Sequence, residues 1–198
     1  MEIIDYSSKY DEDIKELLVE LQEHIVEIDR EKYNILTPEY REKYFVKTMS
    51  EVNKYEGKIF LAKELDSIVG LIIGVINNDE EKTYDFSAPK RGRVIELVVS
   101  SKCRSKGIGK QLLNKMESYF KEVGCKGVLI DVFAYNENAQ RFYYKNGYFN
   151  RNIEMMKKIW GIAMYDEIFN NLEKQLPISE INELRNKTIH LGIFSEPY

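Results

Sequence analysis

A chain of 198 residues with 43% hydrophobic and 31% charged side chains has the balance of one globular domain with an appendage, long enough to bury a single core. The formal net charge of −4 leaves no electrostatic footprint for nucleic acid or an anionic membrane, and no apolar run approaches the roughly 20 residues of a membrane span. Two cysteines, Cys103 and Cys125, are too few for a secreted disulfide framework, and the acidic N-terminus lacks a signal peptide's charged-then-apolar order, so a cytoplasmic location is expected.

Residues 2–6 read as a short strand. From Asp11, the spacing of Ile14, Leu17, Leu18, Leu21, Ile25 and Ile28 predicts a helix with one apolar stripe. His24 on its flank reads as a packed or exposed side chain. After a loop over 29–36, Thr37 and Pro38 predict the cap and first position of a second helix, carrying Tyr44, Phe45, Val46 and Met49 and ending near Gly57. Residues 58–63 and 68–76 are two apolar strands joined by a hairpin-length loop, and Gly70 and Gly74 predict a bulge or a close backbone approach. Residues 77–92 are polar and read as a long loop, a candidate lid.

Residues 93–99 form a β-branched strand interrupted by one carboxylate, Glu96. Alternation places Glu96 with Val94 and Val98 on one face, opposite Ile95, Leu97 and Val99. Beyond the polar residues 100–106, Ile108, Leu112, Leu113, Met116, Phe120 and Val123 recur at helical spacing. Gly107 and Gly109 stand at the start of that helix, where free N–H groups, the helix dipole and the neighbouring Arg104, Lys106 and Lys110 suit a phosphate. The spacing excludes a Walker loop, because Gln111 follows Gly109-Lys110. It also excludes a dinucleotide fingerprint, because Leu112 stands where a third glycine is needed.

The pattern Arg-x-x-Gly-x-Gly, as Arg104, Gly107 and Gly109, resembles the acetyl-CoA pyrophosphate loop of the GNAT superfamily of N-acetyltransferases. A second segment is similar to the same family. Residues 126–134 read as another apolar strand, and Asn136, Ala139, Tyr143 and Gly147-Tyr148 follow the family pattern Asn-x-x-Ala-x-x-x-Tyr-x-x-x-Gly-Phe, with Tyr148 in place of Phe. The resemblance covers about residues 1–159. It implies an α/β (α+β) fold, a mixed and largely antiparallel sheet flanked by helices, whose parallel strands at 93–99 and 126–133 splay apart to admit pantetheine. It also implies acetyl-CoA as acyl donor, no metal, and direct transfer to a primary amine of a small molecule, peptide or protein in a ternary complex. A non-catalytic acyl-CoA-binding or regulatory protein and a transferase of longer acyl groups are the alternatives.

By that resemblance the backbone of Leu97, Val98 and Val99 pairs with pantetheine, and Arg104, Ser105, Lys106, Gly107, Ile108, Gly109 and Lys110 hold the pyrophosphate. Asn136 bonds the pantetheine or caps its helix, and Tyr143 protonates the leaving thiolate, with Phe142 packed and Tyr144 on the exposed side. Glu96, alone among apolar neighbours, reads either as the base that takes the amine proton or as a structural ion pair, for instance with Arg93. Glu27, Asp29, Tyr33 and Tyr40 are candidates for steering a cationic amine, with solvated charges and a half-buried aromatic as the plainer reading. No histidine is placed near Cys103 by any motif, so that thiol reads as incidental.

A final strand is expected at 154–159, preceded by a shorter one at Phe149. Residues 160–198 form an extension with helical spacing up to Pro177 and an apolar run at 189–194. Its apolar face needs cover from its own domain or from the same segment of a second chain, and a homodimer is the expectation.

Overall fold

The computed structural model describes residues 1–77 and 89–157. The chain divides into two compact units, Met1–Phe149 and Asn150–Tyr198. Of the second, only residues 150–157 are described, and they contain no helix or strand. Of the strand expected at 154–159, residues 154–157 form none and the last two lie outside the described residues; the shorter one expected at Phe149 is not formed either. Residues 78–88 of the candidate lid expected over 77–92, the boundary after Ile159, the tail helix and the pairing of two chains all lie outside the described residues.

The first unit is a five-stranded sheet in the order of the chain: β1 (Glu2–Asp5), β2 (Lys58–Glu64), β3 (Ser67–Asn77), β4 (Arg91–Val99) and β5 (Gly127–Ile130). β1 to β4 run antiparallel, and β5 lies parallel to β4. The parallel step needs a crossover, which α3 (Ile108–Glu122) supplies. On the opposite face lie α1 (Asp11–Ile28) and α2 (Tyr40–Lys54), and α4 (Glu137–Lys145) follows β5. The mixed α/β architecture is the one expected.

Each face of the sheet has its own core. Ile14, Leu17 and Leu18 of α1 pack on Leu71, Ile73 and Val75, while Leu112, Leu113, Met116 and Phe120 of α3 pack on Val69, Ile72, Ile76 and Val94. Each such side chain, fully buried, contributes about 1.5–3 kcal/mol of transfer free energy. The Phe120 ring lies directly over two backbone positions kept bare. A Cβ at Gly74 would stand 2.6 Å from its Cζ, and one at Gly92 would stand 2.4 Å from ring carbons. The close approach expected at Gly74 is thus real. Gly92→Ala should cost about 1–3 kcal/mol of stability by overpacking, measurable by denaturant titration.

Three expected boundaries shift. β4 begins at Arg91, because Arg91 and Gly92 pair with Asn77 and Ile76 and so extend the β3 ladder into the expected loop. α2 begins at Tyr40, since Thr37 and Pro38 enter a turn closed by the Tyr40 N–H on the Thr37 carbonyl at 3.0 Å. β5 stops at Ile130 and not near 134, because its last pair with β4 is Val94↔Ile130. Beyond that pair the two strands part, as the resemblance implies.

The expected alternation in β4 also fails at one residue. Ile73 pairs with Glu96 and Gly74 with Val94, so Ile95 is an extra residue, a bulge. Past the bulge, Val98 joins the α1/α2 core and Glu96 reaches α2, while Leu97 and Val99 face α3. Before it the parity is reversed. Val94 lies in the α3 core, opposite Glu96 and Val98, and Ile95 turns to the α1/α2 side.

Candidate active site

Where β4 and β5 part, a cleft of about 240 Å³ opens. Its floor is β4 from Val94 to Leu97. One wall comes from Leu21, Gln22 and Ile25 of α1 with Tyr40 and Tyr44 of α2, the other from 130–133 with Asn136, Ala139 and Tyr143. A smaller cavity of about 170 Å³ adjoins it between α2 and β4, where Lys47, Thr48, Glu51, Arg93 and Asp131 surround the same Tyr44 and Glu96. The bulge and the parting of the strands coincide at Glu96, which opens onto both.

Glu96 is half-buried, and burial pushes its carboxyl up to about 7; the hydrogen bond it accepts from the Tyr44 hydroxyl pulls the other way, the charge of Glu51 adds to the rise and that of Lys47 reduces it. The ion pair considered for Glu96 is made elsewhere, since Arg93 pairs with Asp131. Tyr143 lies on α4 with its ring edge-on to Phe142 and Tyr148, at 5.2 and 5.6 Å between centroids. Burial, followed by the negative charge of Glu96, pushes its phenol up to about 12. Phe142 packs in the α3 core and Tyr144 is exposed, as expected for their places on the helix.

Asn136 caps α4, its Oδ1 accepting the Ala139 N–H at 3.0 Å, and it also lines the cleft, so its cap role is realised beside an open side-chain amide. Leu97, Val98 and Val99 pair with Ile72, Leu71 and Gly70 on β3, and past Val94 no β5 residue takes their other edge. That open edge is where an extended chain can add hydrogen bonds as if it were a strand. The Val99 carbonyl is engaged by the Arg104 Nε at 3.0 Å, and the same guanidinium lies 3.6 Å from Glu20.

The loop 104–107 brings the chain from β4 into α3. Ser105 and Gly107 both have positive φ, 64° and 79°, and Gly107 is the residue that caps α3. The first helical bond is Gln111 N–H to the Gly107 carbonyl at 3.2 Å, so the amides of Ile108, Gly109 and Lys110 precede any intrahelical acceptor. A Cβ at Gly109 would meet Phe142 at 3.6 Å and Val99 at 3.8 Å, ordinary contacts. The packing does not require glycine there. Lys106 is drawn toward Glu64 at 3.8 Å, and Lys110 is exposed.

Other candidates fall outside this arrangement. Asp29 is 1% exposed, and its carboxylate accepts the N–H groups of Asn34, Glu31 and Tyr33 and the Asn34 side-chain amide. Those bonds, the Asn34 backbone foremost, hold its carboxyl down to about 2. It is a staple of the 29–34 loop, not a steering charge. Tyr33 and Glu27 are exposed, and Tyr40 alone of that group lines the cleft, stacked on Tyr44 at 4.8 Å. Neither cysteine lines either cavity. Sequence reasoning missed Tyr44, Lys47 and Glu51. The spacing Tyr40, Tyr44, Lys47, Glu51 on one helix face was the available signal, masked because Tyr44 also continues the apolar stripe.

Parting parallel strands, an open ladder edge and a glycine-led helix start define an α/β ligand-binding domain of the splayed-sheet kind. The chain belongs to the acetyltransferase (GNAT) family, whose sequence profile matches residues 21–148. It is 33% identical over 96 residues to an uncharacterized N-acetyltransferase of Methanocaldococcus jannaschii, spanning 48% of this chain and 54% of that one. It is also 32% identical over 77 residues to the glucosamine 6-phosphate N-acetyltransferase of Arabidopsis thaliana, covering 39% of this chain and 50% of that one. The matches span about half the length of these curated relatives. An aminoglycoside N-acetyltransferase solved in complex with CoA shares the fold, with a TM-score of 0.57 at 13% identity over 80% of this chain and 98% of that one.

Proposed function

We propose that this chain is an acetyl-CoA-dependent N-acetyltransferase that moves an acetyl group to a primary amine by direct transfer within one cleft. The observation that carries the reading is the placement of Glu96 and Tyr143 on that cleft, where β4 loses its parallel partner. Acetyl-CoA would supply the activated acyl group, its diphosphate held by the amides of Ile108 to Lys110 and by Arg104, its pantetheine along the open edge of Leu97 to Val99. The polar cavity beside Glu51 and Lys47 would receive the amine. An amine with a pKa near 10.4 is mostly protonated at neutral pH, so Glu96 takes a proton from it. As the new N–C bond forms and the C–S bond breaks, the Tyr143 hydroxyl gives its proton to the departing sulfur. The second proton, shed by the acylated nitrogen, restores the phenol by way of solvent, and Glu96 returns its own proton to solvent before the next turnover. Placing both reactants in one cleft supplies several kcal/mol of the barrier, on the order of 7 in well-oriented cases.

Thiol release from acetyl-CoA with a panel of polyamines, aminoglycosides, amino acids and peptide N-termini tests the activity. Thermal stabilisation by CoA with no thiol release on any amine would instead indicate a binding module. The phosphate site has its own test in Gly109→Ala. A methyl group fits the folded chain and favours the helix by up to ~1 kcal/mol, so the melting temperature should hold or rise. On the proposed placement the diphosphate would lie against this backbone and the added methyl would hold it off, so CoA affinity by titration calorimetry should fall roughly tenfold or more. Unchanged affinity would move the phosphate site elsewhere.

A further inference from the structure

Glu96 does not stand alone on the cleft floor. The Tyr44 hydroxyl donates to its Oε1, across 52 residues of sequence, and among the described residues no donor is paired with Oε2. The Tyr44 ring is held in turn, stacked on Tyr40 with the planes 12° apart, and the Lys47 Nζ lies 5.6 Å from its centroid. We propose that Tyr44 is a positioning residue for the proton-accepting carboxylate: it fixes Oε1 against α2 and leaves Oε2 as the oxygen that meets the amine.

This rests on the reading of Glu96 as the base, and it adds what the strand alone cannot supply. Glu96 follows the bulge at Ile95 and pairs with Ile73 on β3, but past Val94 no β5 residue flanks it on its other side, so the ladder braces its side chain from one side only. A single donor on one oxygen removes that freedom and makes the two oxygens inequivalent. Tyr44 is suited to the task because burial and the charge of Glu96 both raise its own pKa, so it remains a donor at every working pH. The other titratable groups around Glu96 are Tyr40, Lys47 and Glu51 on α2, Arg93 on β4, Asp131 after β5 and Tyr143 on α4. None of these donates to Glu96, so a change at Tyr44 is read against a fixed background.

The test compares wild type, Tyr44→Phe, Glu96→Gln and the double variant. The infrared carbonyl band of the protonated Glu96 acid, identified as the band missing in Glu96→Gln, is followed through pH. Losing a hydrogen bond to the charged form disfavours ionisation, so the midpoint should rise by roughly one unit in Tyr44→Phe. The acid limb of kcat/KM, measured with the amine that releases thiol fastest, should move up by the same amount with the KM for acetyl-CoA unchanged. In the Glu96→Gln background, Tyr44→Phe should add no loss beyond twofold. An unmoved infrared midpoint, or losses in the double variant that equal the product of the single ones, overturns the proposal. Full rate in Glu96→Gln overturns the base itself, a separate failure visible before Tyr44 is touched.

Discussion

Replacing Tyr143 with phenylalanine should lower turnover by ~10²-fold or more and leave acetyl-CoA affinity nearly unchanged. The substitution removes one oxygen. The ring stays where Phe142 and Tyr148 hold it edge-on, and Tyr148 is itself tied to Glu117 by a 2.8 Å hydrogen bond, so the fold has no reason to move. What is lost is the proton for the sulfur. With its phenol pushed up to about 12, Tyr143 carries that proton throughout the working pH range. A tighter-held proton would make it a poorer acid were its environment fixed, yet one of the two causes is removed during turnover. Burial is permanent, but in the proposed mechanism the charge of Glu96 would disappear once that carboxylate had taken the proton of the amine. On that mechanism the acid would strengthen after the base had acted, which would order the two transfers. Pre-steady-state measurement of thiol release, with CoA affinity taken by calorimetry, checks the prediction. Wild-type turnover in the variant would remove Tyr143 from the chemistry.

The parts of this site legible in the sequence are those fixed by local backbone chemistry. Gly107 and Gly109 ahead of an apolar helix, Asn136 as a cap, and the packed and exposed sides taken by Phe142 and Tyr144 each depend on a few consecutive residues. The illegible parts depend on partners distant in sequence. The bulge at Ile95 is a property of the register between β3 and β4, and alternation within β4 carries no record of it. The early end of β5 is set by the strand it leaves, so an apolar run through Ala134 could not announce it. Asp29 looked like a charge awaiting a ligand because its partners are backbone N–H groups, which residue identity does not reveal. Tyr44 was hidden for a related reason: one ring serves both the α2 packing face and, through its hydroxyl, Glu96.

Glu96→Gln should separate a working carboxylate from a structural one, because the two readings give opposite signs. As a base, Glu96 must be ionised, and with its carboxyl pushed up to about 7 the wild-type kcat/KM should rise with pH through that value. Gln cannot take a proton, so that limb should vanish and the rate at pH 8 should fall by ~10²-fold or more. The gap between the two proteins should narrow at pH 5, where wild-type Glu96 is itself largely protonated. Stability moves the other way. A carboxyl whose pKa is higher folded than unfolded, about 7 against 4.5, favours folding below the unfolded value and loses that advantage as pH rises through the folded one. The charge is thus a cost above pH 7, offset only in part by Tyr44, whose hydroxyl can also donate, more weakly, to the amide oxygen of Gln. Thermal unfolding should show the variant more stable than wild type at pH 8, by on the order of 2 kcal/mol, with the difference closing below pH 4.5. A variant both steadier and slower at pH 8 would mark a charge retained for chemistry at the expense of the fold. One that is less stable there and turns over at full rate would mark Glu96 as structural, and the amine would then lose its proton to solvent.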